Sequence, residues 1–416
     1  MLVVSVVLVV GYAYIAIRLT STAPARAALA APFVMVWILP AVFWFGDRDR
    51  RSRHEWVQTL SFLCAGWVSF LFVLTIARDV LLMTTAVLPP LAAMHARLDE
   101  SAAAWVPMAA LAAVLVGALV ALRGPYVRRV DIPVEGLAPD LDGMCIVQIS
   151  DLHVGPTMRR AYVQRVVDMT KRLAPDLIVL TGDIVDGSVS RLASRVAPLQ
   201  ALTCGDRAFF VLGNHDYYSG AAPWTEHFQG MGFRVLRNEH VTIARGAARL
   251  LVGGVIDFAA RMSDPDAGPR PELATDVDAR PDFRLLLAHN PKIAPLAEQA
   301  GFDLQLSGHT HAGQFFPWTV VIHWVHGPHA AGLSRRGRLW VYVNAGTGTW
   351  GPPVRLGSRP ELTLLRLVSS PAAPLTPASS RIRAQASPGE LRHPLPPRSA
   401  TQSRKGRAPF GERSGR

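Results

Sequence analysis

Two hydrophobic patterns follow one another along this chain. Through residue 122, long apolar runs are separated by short polar links; after it, short apolar runs alternate with amphipathic stretches. Residues 1–17, 28–45, 57–77 and 102–122 are almost wholly apolar. A run of about 20 such residues crosses a bilayer core, so each is predicted to be a transmembrane helix. No charge precedes the first run, which argues for a membrane helix rather than a cleaved signal peptide. Residues 80–93 follow Arg78-Asp79 and contain Pro89-Pro90. They fit a kinked continuation, a re-entrant segment or a fifth span; four spans are expected.

The second pattern is that of an α/β domain. Strands are predicted at 145–149, 176–180, 208–212, 284–288 and 304–306, and a helix at 160–173. Each strand runs into a polar cluster. These are Ser150-Asp151-Leu152-His153, Thr181-Gly182-Asp183-Ile184-Val185-Asp186, Gly213-Asn214-His215-Asp216, His289-Asn290-Pro291 and Ser307-Gly308-His309-Thr310-His311. Open α/β sheets bind ligands outside the carboxyl ends of their strands, where all five clusters fall.

The residue types suit a metal site. His309 and His311 are spaced i, i+2, and extended backbone would point both imidazoles the same way. Asp151 and His153 have the same spacing. Asp183 follows a glycine and can bridge two ions, Asn214 offers a neutral oxygen, and His289 adds an imidazole. Seven N and O donors are too many for one ion. Two ions sharing a carboxylate suit in-line displacement at phosphorus. His215 adjoins Asn214 yet should point elsewhere, which makes it a candidate to meet the substrate or protonate the leaving oxygen. Asp186 could orient that ring. Each residue has a plainer reading: Asp151 as a helix cap, Asp183 and Asp186 as turn residues, His289 as a strand-end histidine. Their joint occurrence after successive strands favours a site.

The set D-x-H, G-D-x-x-D, G-N-H-D, a lone histidine and G-H-x-H resembles the calcineurin-like metallophosphoesterase superfamily across residues 144–368. That resemblance implies an α/β fold, a β-sandwich flanked by helices, here preceded by an all-α transmembrane region. It implies two divalent metal ions (Mn, Fe, Zn or similar) that generate hydroxide for attack at phosphorus. Asp151, His153, Asp183 and His311 would hold the first ion, and Asp183, Asn214, His289 and His309 the second. His215 would be catalytic, with Asp186 as its partner. Gly187-Ser188 and Asp216 depart from the protein Ser/Thr phosphatase pattern, which carries Arg-Gly and Glu there. The stretches around Tyr217-Tyr218, Ala312-Gly313-Gln314 and Gly346-Thr347-Gly348 look more like a bacterial membrane-linked branch, although Ala312 replaces a more usual glycine. Some relatives in that broad group hydrolyse UDP-diacylglucosamine, others cyclic nucleotides or cell-wall phosphates.

Composition refines this reading. Half of the 416 residues are apolar, and the net charge is +12 with a pI near 10.4. The basic excess lies largely in membrane-flanking loops and in the tail, where residues 381–416 hold nine Lys/Arg against two Glu, so no nucleic-acid partner is expected. Cys64, Cys145 and Cys204 are scattered and form no disulfide framework. Arg48, Arg50, Arg51 and Arg53, with Arg123, Arg128 and Arg129, fall on one side of a four-span protein. That side is expected to be cytoplasmic, placing the catalytic domain on the cytoplasmic side of a bacterial inner membrane. The expected organisation is a transmembrane region at 1–122, a linker and first strand region at 123–143, a metallophosphoesterase domain at 144–368 and a disordered basic tail at 369–416. His323, His326 and His329, interleaved with Trp318 and Trp324, suggest a loop over the site, and Arg355 a phosphate contact. The expected function is hydrolysis of phosphomonoesters or phosphodiesters, including lipid- or nucleotide-linked ones, at the bilayer. The alternative is a membrane protein whose metal domain binds or senses a phosphorylated ligand without turnover.

Overall fold

The computed structural model describes residues 2–45, 55–276 apart from 204 and 206, and 280–371. The arginine-rich loop at 46–54, Cys204 and the tail from 372 lie outside the described residues. Four helices open the chain: α1 (Leu2–Leu19), α2 (Ala23–Phe45), α3 (Glu55–Ala86) and α4 (Ala92–Leu122). Three of them, α1, α3 and α4, are long and apolar enough to cross a membrane; the described apolar stretch of α2, 23–38, is shorter. Residues 80–86 simply continue α3, and Pro89–Leu91 turn the chain into α4. Among the described residues there is therefore no fifth span. α4 starts ten residues before its apolar run because its first turns join a polar cluster at that end of the bundle. There Arg78 pairs with Asp79 and Asp99, and Asp79 also takes Arg18 at 3.1 Å and the Tyr14 hydroxyl at 2.7 Å.

Twelve strands follow: β1 (Tyr126–Glu135), β2 (Cys145–Ile149), β3 (Leu177–Leu180), β4 (Ala208–Phe210), β5 (Arg234–Val235), β6 (Glu239–Arg245), β7 (Ala248–Gly254), β8 (Phe283–Leu287), β9 (Leu304–Ser307), β10 (Gly332–Arg336), β11 (Leu339–Val343) and β12 (Glu361–Ser370). They form two six-stranded sheets, ordered β1-β12-β2-β3-β4-β5 and β10-β11-β9-β8-β7-β6. The last strand reaches Ser370, so the first two residues of the expected tail belong to the sheet. Ile146, Leu177, Val179 and Phe209 of the first sheet pack on Leu250, Leu285, Leu287 and Leu306 of the second, and this shared layer is the sandwich core. Their partners on the opposite faces are covered by helices. On the first sheet these are α5 (Arg160–Leu173), α6 (Val189–Val196) and α7 (Asn214–Gly230); on the second it is α8 (Ala294–Gln299). Strands buried on both faces read as unbroken apolar runs, as in β3. In α5, Tyr162, Val163, Val166, Val167 and Thr170 form one buried stripe at helical spacing. Lys171 and Arg172 complement its carboxyl end, and Ala174 at φ 45° followed by Pro175 stops it.

The helical bundle is docked against the domain near its metal-facing rim. Phe315 and Val354 of the domain are buried among Ile15, Phe70, Leu71 and Val114 of the bundle. Each such side chain contributes about 1.5–3 kcal/mol if fully removed from water. Gly117 of α4 makes the approach close. A Cβ there would lie 2.4 Å from Val354 Cγ1, and its carbonyl accepts the Arg355 backbone N–H at 2.9 Å. At the start of α3, Glu55 accepts Arg195 of α6 at 2.7 Å.

Candidate metal centre

The polar residues after β2, β3, β4, β8 and β9 converge on one site. Asp151, His153, Asp183, His309 and His311 all have positive φ, between 49° and 72°. Non-glycine residues rarely adopt this left-handed conformation, and such strain concentrates where a site needs side chains re-aimed. Extended backbone therefore does not continue past β9, and His309 and His311 do not point the same way. His309 Nδ1 lies 3.0 Å from Asn214 Oδ1 and 3.3 Å from His289 Nε2. His311 Nε2 lies 3.0 Å from His153 Nε2 and 3.3 Å from Asp151 Oδ1.

Two donor groups result. One contains Asp151, His153 and His311; the other contains Asn214, His289 and His309. Asp183 stands between them, its Oδ2 3.7 Å from His153 Nε2 and 3.2 Å from His289 Nε2. Supporting bonds set which ring nitrogens face the centre. His289 donates Nδ1–H to the Thr181 carbonyl at 2.8 Å. His153 Nδ1 lies 3.1 Å from Asp186 Oδ1, and His215 Nδ1 reaches the same oxygen at 2.8 Å. Asp186 thus holds two imidazoles, one inside the donor group and one beside it. His215 remains partly accessible, bordered by the rings of Tyr218 at 5.3 Å and Trp350 at 5.7 Å. All nine residues singled out from the sequence meet here.

The electrostatics fit divalent cations. Asp151 and Asp183 are buried, and their ion pairs run to histidines. Burial pushes the Asp151 carboxyl up. Burial also opposes the charged forms of Asp183 and His289, yet each holds the other ionised, Asp183 below the usual carboxylate range and His289 well above the usual imidazole range. Burial and the charge on His289 push His309 down to about 3; burial, His153 and Arg355 keep His311 neutral. Buried carboxylates require positive charge among them, and divalent cations would supply it here, with O and N donors of the type such ions prefer. At His215 burial again opposes charge, but Asp186, Asp183 and Asp216 push it up to about 9.

Several supporting residues were not foreseen. Asp216 is fully buried, and its carboxylate accepts four backbone N–H groups: Asp183 and Gly213 on one oxygen, Ile184 and Val185 on the other. It fixes the loop that carries Asp183. Ser150 donates to Asp151 at 2.5 Å. Gly308 leaves room for the same carboxylate, since a Cβ there would lie 2.1 Å from Asp151 Oδ2. Arg355 does not offer its guanidinium to phosphate. It is fully buried and donates to the carbonyls of His311, Ala345, Gly346 and Gly348 and to Ser358 Oγ. The histidine segment is a helix rather than a loop, α9 (Trp318–His326), and its His326 ring lies 6.0 Å from that of His309.

A helix-flanked sandwich with Asp, Asn and His donors at its strand ends defines a metal-dependent phosphoesterase, and the family model described as calcineurin-like phosphoesterase matches residues 144–313. The chain is 36% identical over 323 residues to a "Transmembrane protein with metallophosphoesterase domain" of Danio rerio, covering 75% of this chain and 74% of that protein. It is 34% identical to an "Uncharacterized metallophosphoesterase" of Aquifex aeolicus, over 61% of this chain and 97% of that one. Among solved structures, a 5'-nucleotidase precursor of Thermus thermophilus aligns with a TM-score of 0.37 and 16% identity, over 54% of this chain and 55% of that one. The chain belongs to the calcineurin-like phosphoesterase family: it is a membrane-associated hydrolase of phosphoric esters.

Proposed function

We propose that the protein is a dinuclear phosphoesterase, with Asp151, His153, Asp183 and His311 around one divalent ion and Asp183, Asn214, His289 and His309 around the other. The observation that carries this reading is the position of Asp183, whose one oxygen faces imidazoles of both donor groups. Two cations held by these residues would supply a nucleophile from water at neutral pH and neutralise charge on the phosphoryl oxygens. His215, protonated and held by Asp186, gives its proton to the leaving oxygen as the P–O bond breaks. Trp350 and Tyr218 border that ring and limit water around it. Asp216 keeps the Asp183 loop rigid, so the shared carboxylate is preorganised.

The substrate class is a phosphomonoester or phosphodiester carried by a lipid or nucleotide-linked lipid, of the UDP-diacylglucosamine kind. Support comes from the anchor itself, which packs on Phe315 and Val354 close to the site. The arginines beyond α4 favour a catalytic domain on the cytoplasmic face of a bacterial inner membrane. Within this reading, 1–122 form the anchor, 123–143 the connection and first strand, and 144–368 the catalytic domain.

The test uses the full-length chain in detergent, because truncation would strip the cover from Phe315 and Val354. An aryl phosphodiester and an aryl phosphomonoester are assayed with Mn²⁺ and again with chelator. Metal-dependent turnover of either ester is expected, and the preferred ester assigns the activity. Turnover unaffected by chelator on both would refute the metal-based reading.

A further inference from the structure

Helix α9 is largely apolar, and among the described residues nothing covers it. Six of its nine residues are Trp, Val or Ile, and none of the nine is buried. Trp324 is 81% exposed, Val325 55%, Trp318 49% and Val320 46%. From Leu304 to Ser334 the chain contains no Asp, Glu, Lys or Arg. Thr319, His323 and His326 share one face of α9 and the apolar side chains occupy the rest, and such an exposed apolar face belongs against something.

Its surroundings indicate what that is. Trp318 Nε1 donates to Ser69 Oγ of α3 at 3.3 Å, and Phe315, just before the helix, packs its ring 5.4 Å from Phe70. Ser69 lies fourteen residues beyond Glu55 and nine before Arg78, about 21 Å and 14 Å along the helix. Glu55, which pairs with Arg195, opens α3, and Arg78, which pairs with Asp79 and Asp99, lies eight residues before its last residue. α9 is therefore tied to the apolar stretch of α3 between these two charged residues. The side chains of α3 there, Phe72 and Ile76, are themselves 41% and 40% exposed, as lipid-facing positions are. At nine residues α9 is too short to span a bilayer. Its tryptophans and histidines suit the zone between headgroups and acyl chains. At its other end His326 reaches His309 of the donor group.

We propose that α9 lies in the surface of the membrane that holds α1–α4, and that the metal site takes its ester from that surface. The substrate is then an amphiphile whose phosphate sits at headgroup depth. The first part stands on α9 alone; the second rests on the phosphoesterase reading.

The test uses the full-length chain in phosphatidylethanolamine/phosphatidylglycerol vesicles. Cys64, Cys145 and Cys204 are changed to Ser, and a Trp324→Cys variant carries an environment-sensitive fluorophore. A Glu226→Cys variant on the exposed side of α7 is the control. The label at 324 is expected to emit to the blue and to be quenched several-fold more by doxyl lipids than by aqueous iodide, with the reverse at 226. Equal iodide quenching at both positions overturns the proposal. So does a blue shift at 324 that doxyl lipids fail to quench and that fades on dilution with lipid, which would indicate a second copy on the helix. The functional arm compares bis(4-nitrophenyl) phosphate in solution with dioleoylphosphatidyl-4-nitrophenol in the vesicle. In a Trp324→Glu/Val325→Glu variant, turnover of the lipid ester should fall at least tenfold while that of the soluble ester is kept. Equal loss on both esters overturns delivery from the membrane. A wild type inactive on both refutes the phosphoesterase reading and leaves the depth measurement to decide the position of α9.

Discussion

Replacing Asp216 by Asn tests whether the site is built on the loop that this residue holds. The side chain keeps its size and one acceptor oxygen, but the other oxygen becomes an amide donor facing backbone N–H groups. Each carboxylate oxygen takes two N–H groups at 2.8–3.1 Å, so the substitution leaves two buried amides without acceptors whichever way it turns. An unsatisfied buried amide costs about 1–3 kcal/mol, which gives about 2–6 kcal/mol for the pair. For a domain of this size about 1 kcal/mol shifts the midpoint by roughly 2–4 °C, so a fall of at least about 4 °C is expected. Two of those N–H groups belong to Asp183 and its neighbour Ile184, so the loop that carries the Asp183 carboxylate loses its support. Metal affinity should drop about 10–100-fold, as for other residues that orient ligands. The assay is thermal unfolding of the full-length protein with and without Mn²⁺, with bound metal measured on the same samples. A variant with the wild-type midpoint and full metal content would refute the assignment of Asp216 as the residue holding the loop.

Three further outcomes follow from the geometry. His215→Ala should lower kcat by about 10²–10⁴ while metal content stays at the wild-type value, because the ring lies beside the donor groups rather than within them. Asp186→Asn removes the main charge that raises the His215 pKa. A proton donor must be protonated to act, so activity is lost as pH rises through its pKa; at saturating Mn²⁺ the alkaline limb of kcat should move to lower pH in this variant, and an unmoved limb would detach Asp186 from His215. Arg355→Met strands buried carbonyls of both the His311 turn and the Gly346-Gly348 loop, and should destabilise by about 3 kcal/mol or more, read as a midpoint fall above roughly 6 °C.

Much of this molecule is legible in its sequence, for physical reasons that differ from element to element. β2 and α5 fall on their predicted residues because both faces of β2 and one stripe of α5 are buried, so the periodicity is unambiguous. The strands at the far side of the second sheet are harder to see. β6 is half-exposed along its length, and β10 ends in Arg335-Arg336 at the sheet edge. The nine site residues stand out by type and by position after successive strands. Their directions do not, because the alternation rule fails where Asp151, His153, Asp183, His309 and His311 leave extended backbone. Asp216 looks like one more polar loop residue, since its four partners are backbone groups from two separate loops. Arg355 reads as a phosphate contact because guanidinium suits phosphate, and only the fold shows that it is fully buried with both terminal nitrogens donating to backbone carbonyls. α9 illustrates the opposite case: its sequence resembles a core helix, and the fold leaves it uncovered.

The proposed hydrolysis requires Asp183 to be shared by two divalent ions. The most direct test is metal content and turnover of the Asp183→Asn variant beside the wild type, both full-length and reconstituted with Mn²⁺. Two ions per chain and ester hydrolysis are expected in the wild type, and in the variant loss of at least one ion with turnover reduced by several orders of magnitude. A variant that keeps two ions and wild-type turnover would contradict it.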